Sequence, residues 1–215
     1  MKNLGNVMIF GDSYSTLEGH IPQGYAVYYS LNREDTAHFN ISAPEDTWWG
    51  TVLSATHSKL LVNDSWSGST VCHTGYGGFD EKQSFVGRLN KYIADGFFEK
   101  NQVDTVFIFG CTNDFWANSP RGEVGGNDHE NQTLAFVYPA VEYMLSTLKK
   151  VAPKARVIGL INTDFSADFT EKLQTIYHNA GVDCITFDYI EKVNGHPNKT
   201  GMEQIANKIL KLLEE

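Results

Sequence analysis

Four short blocks hold residue types that can perform nucleophilic chemistry: Gly11-Asp12-Ser13-Tyr14-Ser15, the stretch from Asn63 to Thr70 with Gly68, Gly110-Cys111-Thr112-Asn113-Asp114, and Asn194-Gly195-His196-Pro197-Asn198. A serine hydroxyl such as that of Ser13 is a weak nucleophile and needs a base within hydrogen-bond reach. A neutral imidazole such as that of His196 is a suitable base near pH 7. The Asn113 amide, and a backbone N–H left accessible by Gly68, are donors of the kind that stabilise a developing oxyanion. Pro197 restricts the backbone of His196 and so limits where its ring points. Each block also has an ordinary reading. Gly, Asp and Ser are common in strand-to-helix turns, Asn-Asp pairs in turns and caps, and single loop histidines on surfaces. The first block also departs from the Gly-x-Ser-x-Gly elbow, because Ser15 stands where the second glycine would be. Tyr14, Trp66, Phe115 and Trp116 adjoin these positions. Of these, Tyr14, Trp66 and Trp116 are candidates to line a substrate pocket, against the alternative that they are core or rim. His73 reads as loop or pocket lining.

The blocks follow predicted strands. Apolar runs over residues 7–10, 60–63, 105–110, 156–161 and 184–187 are nearly continuous in four of the five cases, as expected of parallel strands covered on both faces. Helix-period segments lie between and after them. Asp46 is expected to cap a helix carrying Trp48, Trp49, Val52 and Leu53. Residues 84–94 and 134–150 form two more, the second burying Phe136, Ala140, Tyr143, Met144 and Leu148. Phe169, Leu173, Ile176 and Tyr177 mark another that stops at Gly181. Met202, Ile205, Ala206, Ile209, Leu210 and Leu213 stripe the last, with Thr200 and Glu203 fitting a capping box.

This alternation predicts an α/β protein: a three-layer α/β/α sandwich around a flavodoxin-like five-stranded parallel sheet of order 2-1-3-4-5. In that order the first and third strands are neighbours. Their carboxyl ends flank the crevice where such sheets bind ligands, which brings Asn113 toward Ser13. Segments 16–44 and 115–132 fit no element, and both leave this binding edge.

With 215 residues, the chain suits one domain spanning 1–215. Its composition, 41% hydrophobic and 20% charged, is that of a globular protein. A formal charge of −9 argues against nucleic acid or an anionic membrane as partner, since both require positive surface. Cys72, Cys111 and Cys184 are too scattered for a disulfide framework or a zinc ribbon and read as thiols in a reducing compartment. The first apolar run is too short for a signal-peptide core, and none approaches a membrane span, so a cytoplasmic location is expected. No Gly-x-Gly-x-x-Gly or Walker-type loop follows any strand. No metal or cofactor is expected, and the oligomeric state stays open.

Taken in order, the four blocks resemble those of the SGNH, or GDSL-like, hydrolases, and the resemblance runs from the first strand to the final helix. It implies an esterase acting on small-molecule esters. Ser13 would attack the ester carbonyl, and His196 would take the serine proton. The backbone N–H groups of Ser13 and Gly68, with the Asn113 side chain, would bind the oxyanion. Short-chain acyl esters, acetylated carbohydrate among them, are the expected substrates. One departure is plain. The family usually carries Asp three residues before the histidine, and Val193 stands there. Glu191, Asp188, the Asn194 side chain or a backbone carbonyl are left to orient the ring. Two other readings remain: a non-catalytic carbohydrate-binding relative, and a flavodoxin-like nucleotide- or phosphate-binding domain.

Overall fold

The computed structural model describes residues 2–30, 39–125 and 133–214. In chain order the strands are β1 (Asn6–Gly11), β2 (Lys59–Ser65), β3 (Thr74–Gly75), β4 (Gly78–Phe79), β5 (Thr105–Phe109), β6 (Arg156–Ile161), β7 (Asp183–Thr186), β8 (Lys192–Val193) and β9 (His196–Pro197). The α-helices are α1 (Trp48–Thr56), α2 (Phe85–Ala94), α3 (Phe97–Lys100), α4 (Thr112–Trp116), α5 (Val137–Val151), α6 (Ala167–Asn179) and α7 (Lys199–Glu214). Strands β2-β1-β5-β6-β7 form one all-parallel sheet, which is the expected order, while β3–β4 and β8–β9 are separate antiparallel hairpins.

Successive strand residues point to opposite sheet faces. Met8 and Phe10 of β1, with Val106 and Ile108 of β5, therefore enter one core with α2, α5 and α6. Val7 and Ile9, with Phe107 and Phe109, enter the other with α1 and α7. Both faces are covered, so the strands read as unbroken apolar runs rather than alternating ones. On α7, Ile205 and Ile209 are fully buried, each favouring the fold by about 2 kcal/mol over an exposed position.

Helix starts differ from expectation at three places. Thr47, not Asp46, caps α1 by accepting from the Gly50 N–H. The Asp46 carboxylate instead takes the N–H groups of Ser42 and Ala43 and pairs with Lys199. Helix α7 begins at Lys199, and Asn198 Oδ1 accepts from Gly201 N at 2.9 Å. Thr200 thus lies inside the helix, and the Thr200–Glu203 box cannot form. In both cases a neighbouring side chain of equal capping ability is the one whose oxygen reaches the free N–H. Phe136 precedes α5 and is exposed rather than buried. In the two segments without assigned elements, α4 takes Phe115 and Trp116, while 31–38 and 126–132 lie outside the described residues. Among the described residues no helix is long and apolar enough to cross a membrane.

Candidate active site

Ser13 stands just past the carboxyl end of β1, in a single 3-10 turn, Ser13–Ser15. Gly11 is required by close approach: a Cβ there would lie 2.3 Å from Ser65 Oγ and 2.6 Å from Ser15 Cβ. Asp12 caps the turn, its Oδ1 accepting from Tyr14 N at 3.0 Å. Burial pushes the Asp12 carboxyl up to about 7, against the opposing effect of that bond. Ser15 anchors the turn from behind. Its hydroxyl accepts from Trp48 Nε1 at 3.1 Å, and its carbonyl accepts from Trp49 Nε1 at 3.0 Å and Asn63 Nδ2 at 2.8 Å. As the first residue of its turn, Ser13 has a backbone N–H with no acceptor inside that turn.

The histidine arrives on the β8–β9 hairpin, where Val193 pairs with His196 across a two-residue connection. Asn194 and Gly195 have φ of 49° and 78°, the pair of positive values that marks a type I′ turn. The turn brings His196 Nε2 to 2.9 Å from Ser13 Oγ, and Nδ1 to 3.2 Å from the Asn194 carbonyl oxygen. A carbonyl only accepts, so Nδ1 carries the proton and Nε2 is left to accept from the serine. Tyr14 Oη donates to Gly195 O at 2.5 Å, and Tyr29 Oη to Pro197 O at 2.6 Å, fixing the hairpin from below. Burial, aided by the Lys192 ammonium, lowers the imidazole to about 4, while the Asn194 carbonyl acts in the opposite sense.

Among the described residues the position left by Val193 is not filled by another carboxylate. Glu191 Oε1 accepts from Asn198 Nδ2 at 2.6 Å, and Asp188 pairs with Lys208. The backbone carbonyl, among the groups the sequence leaves open, is the one bonded to Nδ1.

Asn113 enters from the carboxyl end of β5 on the short helix α4. The residue that turns the chain there, Cys111, has φ of 68°, a strained value for a non-glycine and of the kind stored at functional sites. Asn113 Nδ2 donates to Ser69 O at 2.9 Å, and Tyr76 Oη donates to Asn113 Oδ1 at 3.2 Å. The two bonds fix which way the amide faces and leave one amide N–H uncommitted. The adjacent Asp114 carboxylate accepts from Val71 N at 2.8 Å and Cys72 N at 3.1 Å. Asn113 and Asp114 together hold the loop that carries Gly68. Beneath it the buried Arg88 pairs with Asp64 at 3.0 Å and donates to Asp64 O at 2.7 Å and Ser69 Oγ at 3.3 Å. Removing one partner of such a pair costs about 3–5 kcal/mol.

A family model described as GDSL-like Lipase/Acylhydrolase matches residues 5–213. This chain belongs to the GDSL-like lipase/acylhydrolase family. It is similar to a Bacteroides ovatus protein described as a GDSL-like lipase, with 32% identity, 99% of each chain covered and a TM-score of 0.89. A second such protein, from Bacteroides uniformis, has 31% identity over 98% of this chain and 96% of that one, with a TM-score of 0.87. An acetyl xylan esterase from Butyrivibrio proteoclasticus shares the fold at 16% identity and a TM-score of 0.59, over 100% of this chain and 64% of that one. No curated protein matches the sequence. Family membership supports a hydrolase of the esterase or acylhydrolase type.

In this GDSL-like hydrolase the expected pocket residues separate. Tyr14 is fully buried, so it braces the hairpin rather than lining a pocket. Trp66 stacks on Tyr25 with ring centroids 4.1 Å apart. Trp116 is 37% exposed and presents an edge to His196 at 5.9 Å. His73 is buried with Nδ1 on Ser84 Oγ at 2.7 Å. Tyr28, Tyr76, Arg88 and Lys192 were not legible as site residues in the sequence. A signal did exist for the hairpin: Asn-Gly is the preferred type I′ dipeptide, and it stands between Val193 and His196.

Proposed function

We propose that this chain is a serine esterase of short-chain acyl esters, acetylated carbohydrates among them, with Ser13 as nucleophile and His196 as base. The observation that carries the reading is the 2.9 Å contact between Ser13 Oγ and His196 Nε2. Oγ attacks the ester carbonyl carbon while its proton passes to Nε2. The oxyanion is met by the N–H groups of Ser13 and Gly68 and the free amide N–H of Asn113. Collapse expels the alcohol, which takes the proton from Nε2. Water then attacks the acyl-serine, gives a proton to Nε2, and the carboxylic acid leaves as Oγ regains it. The deep setting of Ser13, 2% exposed, favours a small acyl group. The exposed rings of Tyr76 and Trp116 are suited to a sugar face. Several fold relatives are carbohydrate esterases, among them the Butyrivibrio acetyl xylan esterase.

The test is a panel of p-nitrophenyl esters and acetylated xylo-oligosaccharides. Acetyl and propionyl esters should be hydrolysed faster than octanoyl esters. Folded protein that hydrolyses no carboxylic ester but binds the sugars would favour the non-catalytic reading instead. A thermal shift with nucleotide alone would favour the nucleotide-binding one.

Two further results are expected. Asn113→Ala should lower kcat about a hundredfold or more with a smaller change in KM, because the donor acts on the transition state. Weaker binding with normal turnover would place Asn113 in ground-state binding. The pH profile follows from the sign of the His196 shift. Neutral imidazole is the active form, and its proton is already lost above about 4. The acid limb of kcat/KM should therefore inflect well below the ordinary histidine value of about 6.5, leaving activity level through neutral pH. An inflection at the ordinary value would mean that the ring is solvated in the working enzyme.

A further inference from the structure

Among the described residues no carboxylate pairs with the imidazole of His196, yet one aromatic ring lies flat against it. The rings of Tyr28 and His196 are parallel to within 8°, with centroids 3.6 Å apart. The geometry points to Tyr28 as a positioning residue that stands in for the missing carboxylate, its ring face fixing the imidazole plane and favouring the imidazolium formed as Ser13 loses its proton. The inference rests on the serine-esterase reading above.

Hydrogen bonds from Nδ1 to the Asn194 carbonyl and between Nε2 and Ser13 Oγ fix two points of the imidazole and leave it free to tilt about the line that joins them. A face-to-face stack removes the tilt. It also has the right electrostatic sign, since an aromatic face is negative and attracts a cation more than a neutral ring. The other described neighbours do not offer a parallel face. Tyr14 is tilted by 58° at 5.4 Å, and Trp116 meets the ring at 66° and 5.9 Å. Among the described residues, the charged side chain acting on His196 is Lys192 of β8, which opposes the imidazolium. It is itself held by Asn162, Thr163 and Asp164.

Tyr28 is anchored to both catalytic groups. Its N–H donates to Thr16 Oγ1 at 2.9 Å, and that hydroxyl donates to Ser13 O at 3.0 Å. Phe39 packs edge-on against the Tyr28 ring at 5.5 Å. The next residue, Tyr29, donates to Pro197 O, directly after the histidine. Segment 16–30 therefore links the serine turn to the histidine hairpin, with the Tyr28 ring at the junction.

The test compares Tyr28→Leu and Tyr28→Phe on p-nitrophenyl acetate, with Tyr28→Met replacing the leucine variant should that one unfold. Loss of the ring should lower kcat about tenfold while KM changes little, and Tyr28→Phe should keep wild-type turnover. Ring-current shifts give a second readout. The His196 ring protons should resonate upfield in wild type and Tyr28→Phe, and move downfield when the aromatic ring is lost. Wild-type kcat without the ring, or a phenylalanine variant as slow as the aliphatic one, would overturn the proposal. Wild-type protein that turns over no ester would overturn the esterase reading instead, because the shifts report the stack without turnover.

Discussion

Ser13→Ala is expected to lose ester hydrolysis by about 10⁴-fold or more while keeping a Tm close to that of wild type. The described hydrogen bond made by the Ser13 hydroxyl is the one to His196, whereas the bonds that shape its turn use the Ser13 carbonyl. Removing Oγ thus removes the attacking atom and leaves the turn intact. A serine-reactive phosphonate should label wild type at Ser13. Among the described residues, no imidazole is bonded to either of the two nearby alternatives. Ser15 Oγ is held by Trp48, and Ser69 Oγ donates to Trp66 O and accepts from Arg88. Labelling of either would show that Ser13 is not the nucleophile.

His196→Ala should cost about 10³-fold or more in kcat, with KM nearly unchanged, since it removes the general base without touching the oxyanion donors. The double variant with Ser13→Ala should be little worse than either single change, because the two groups act as one unit. Steady-state kinetics at neutral pH, supported by circular dichroism of each variant, reads this directly. Wild-type turnover by His196→Ala would end the dyad reading. The missing acid gives a linked expectation. Val193 and His196 are cross-strand partners, and such pairs place their side chains on the same face. Val193→Asp should then set a carboxylate beside the imidazole, move the acid limb of kcat/KM to higher pH and raise kcat. Because Val193 packs on the apolar core beneath β1 and β5, the change should also lower Tm.

The sheet and its strand order were legible because both-face burial writes itself into the sequence. Residues such as Val7, Met8, Ile9 and Phe10 alternate between two apolar cores, so every position must be apolar. Parallel strands deliver their following turns to one edge, which is the reason to expect Ser13, Gly68 and Asn113 there; the 2.9 Å contact between Ser13 and His196 is made from the β8–β9 hairpin.

Which oxygen caps a helix was not settled locally, because Asp46 and Thr47, or Asn198 and Thr200, are chemically interchangeable until the backbone fixes reach. The partner of the imidazole was also decided in three dimensions. Val193 excluded the usual carboxylate, but the use of the Asn194 carbonyl depends on a turn with two positive φ values. Tyr28, Tyr76 and Arg88 act across separations that leave no periodic trace. Tyr29 reaches Pro197 over 168 residues, and Arg88 reaches Gly11 over 77. Periodicity records which face of an element is buried; it holds no record of which distant side chain a loop will meet, because loop contacts follow from packing the finished layers and not from any local repeat.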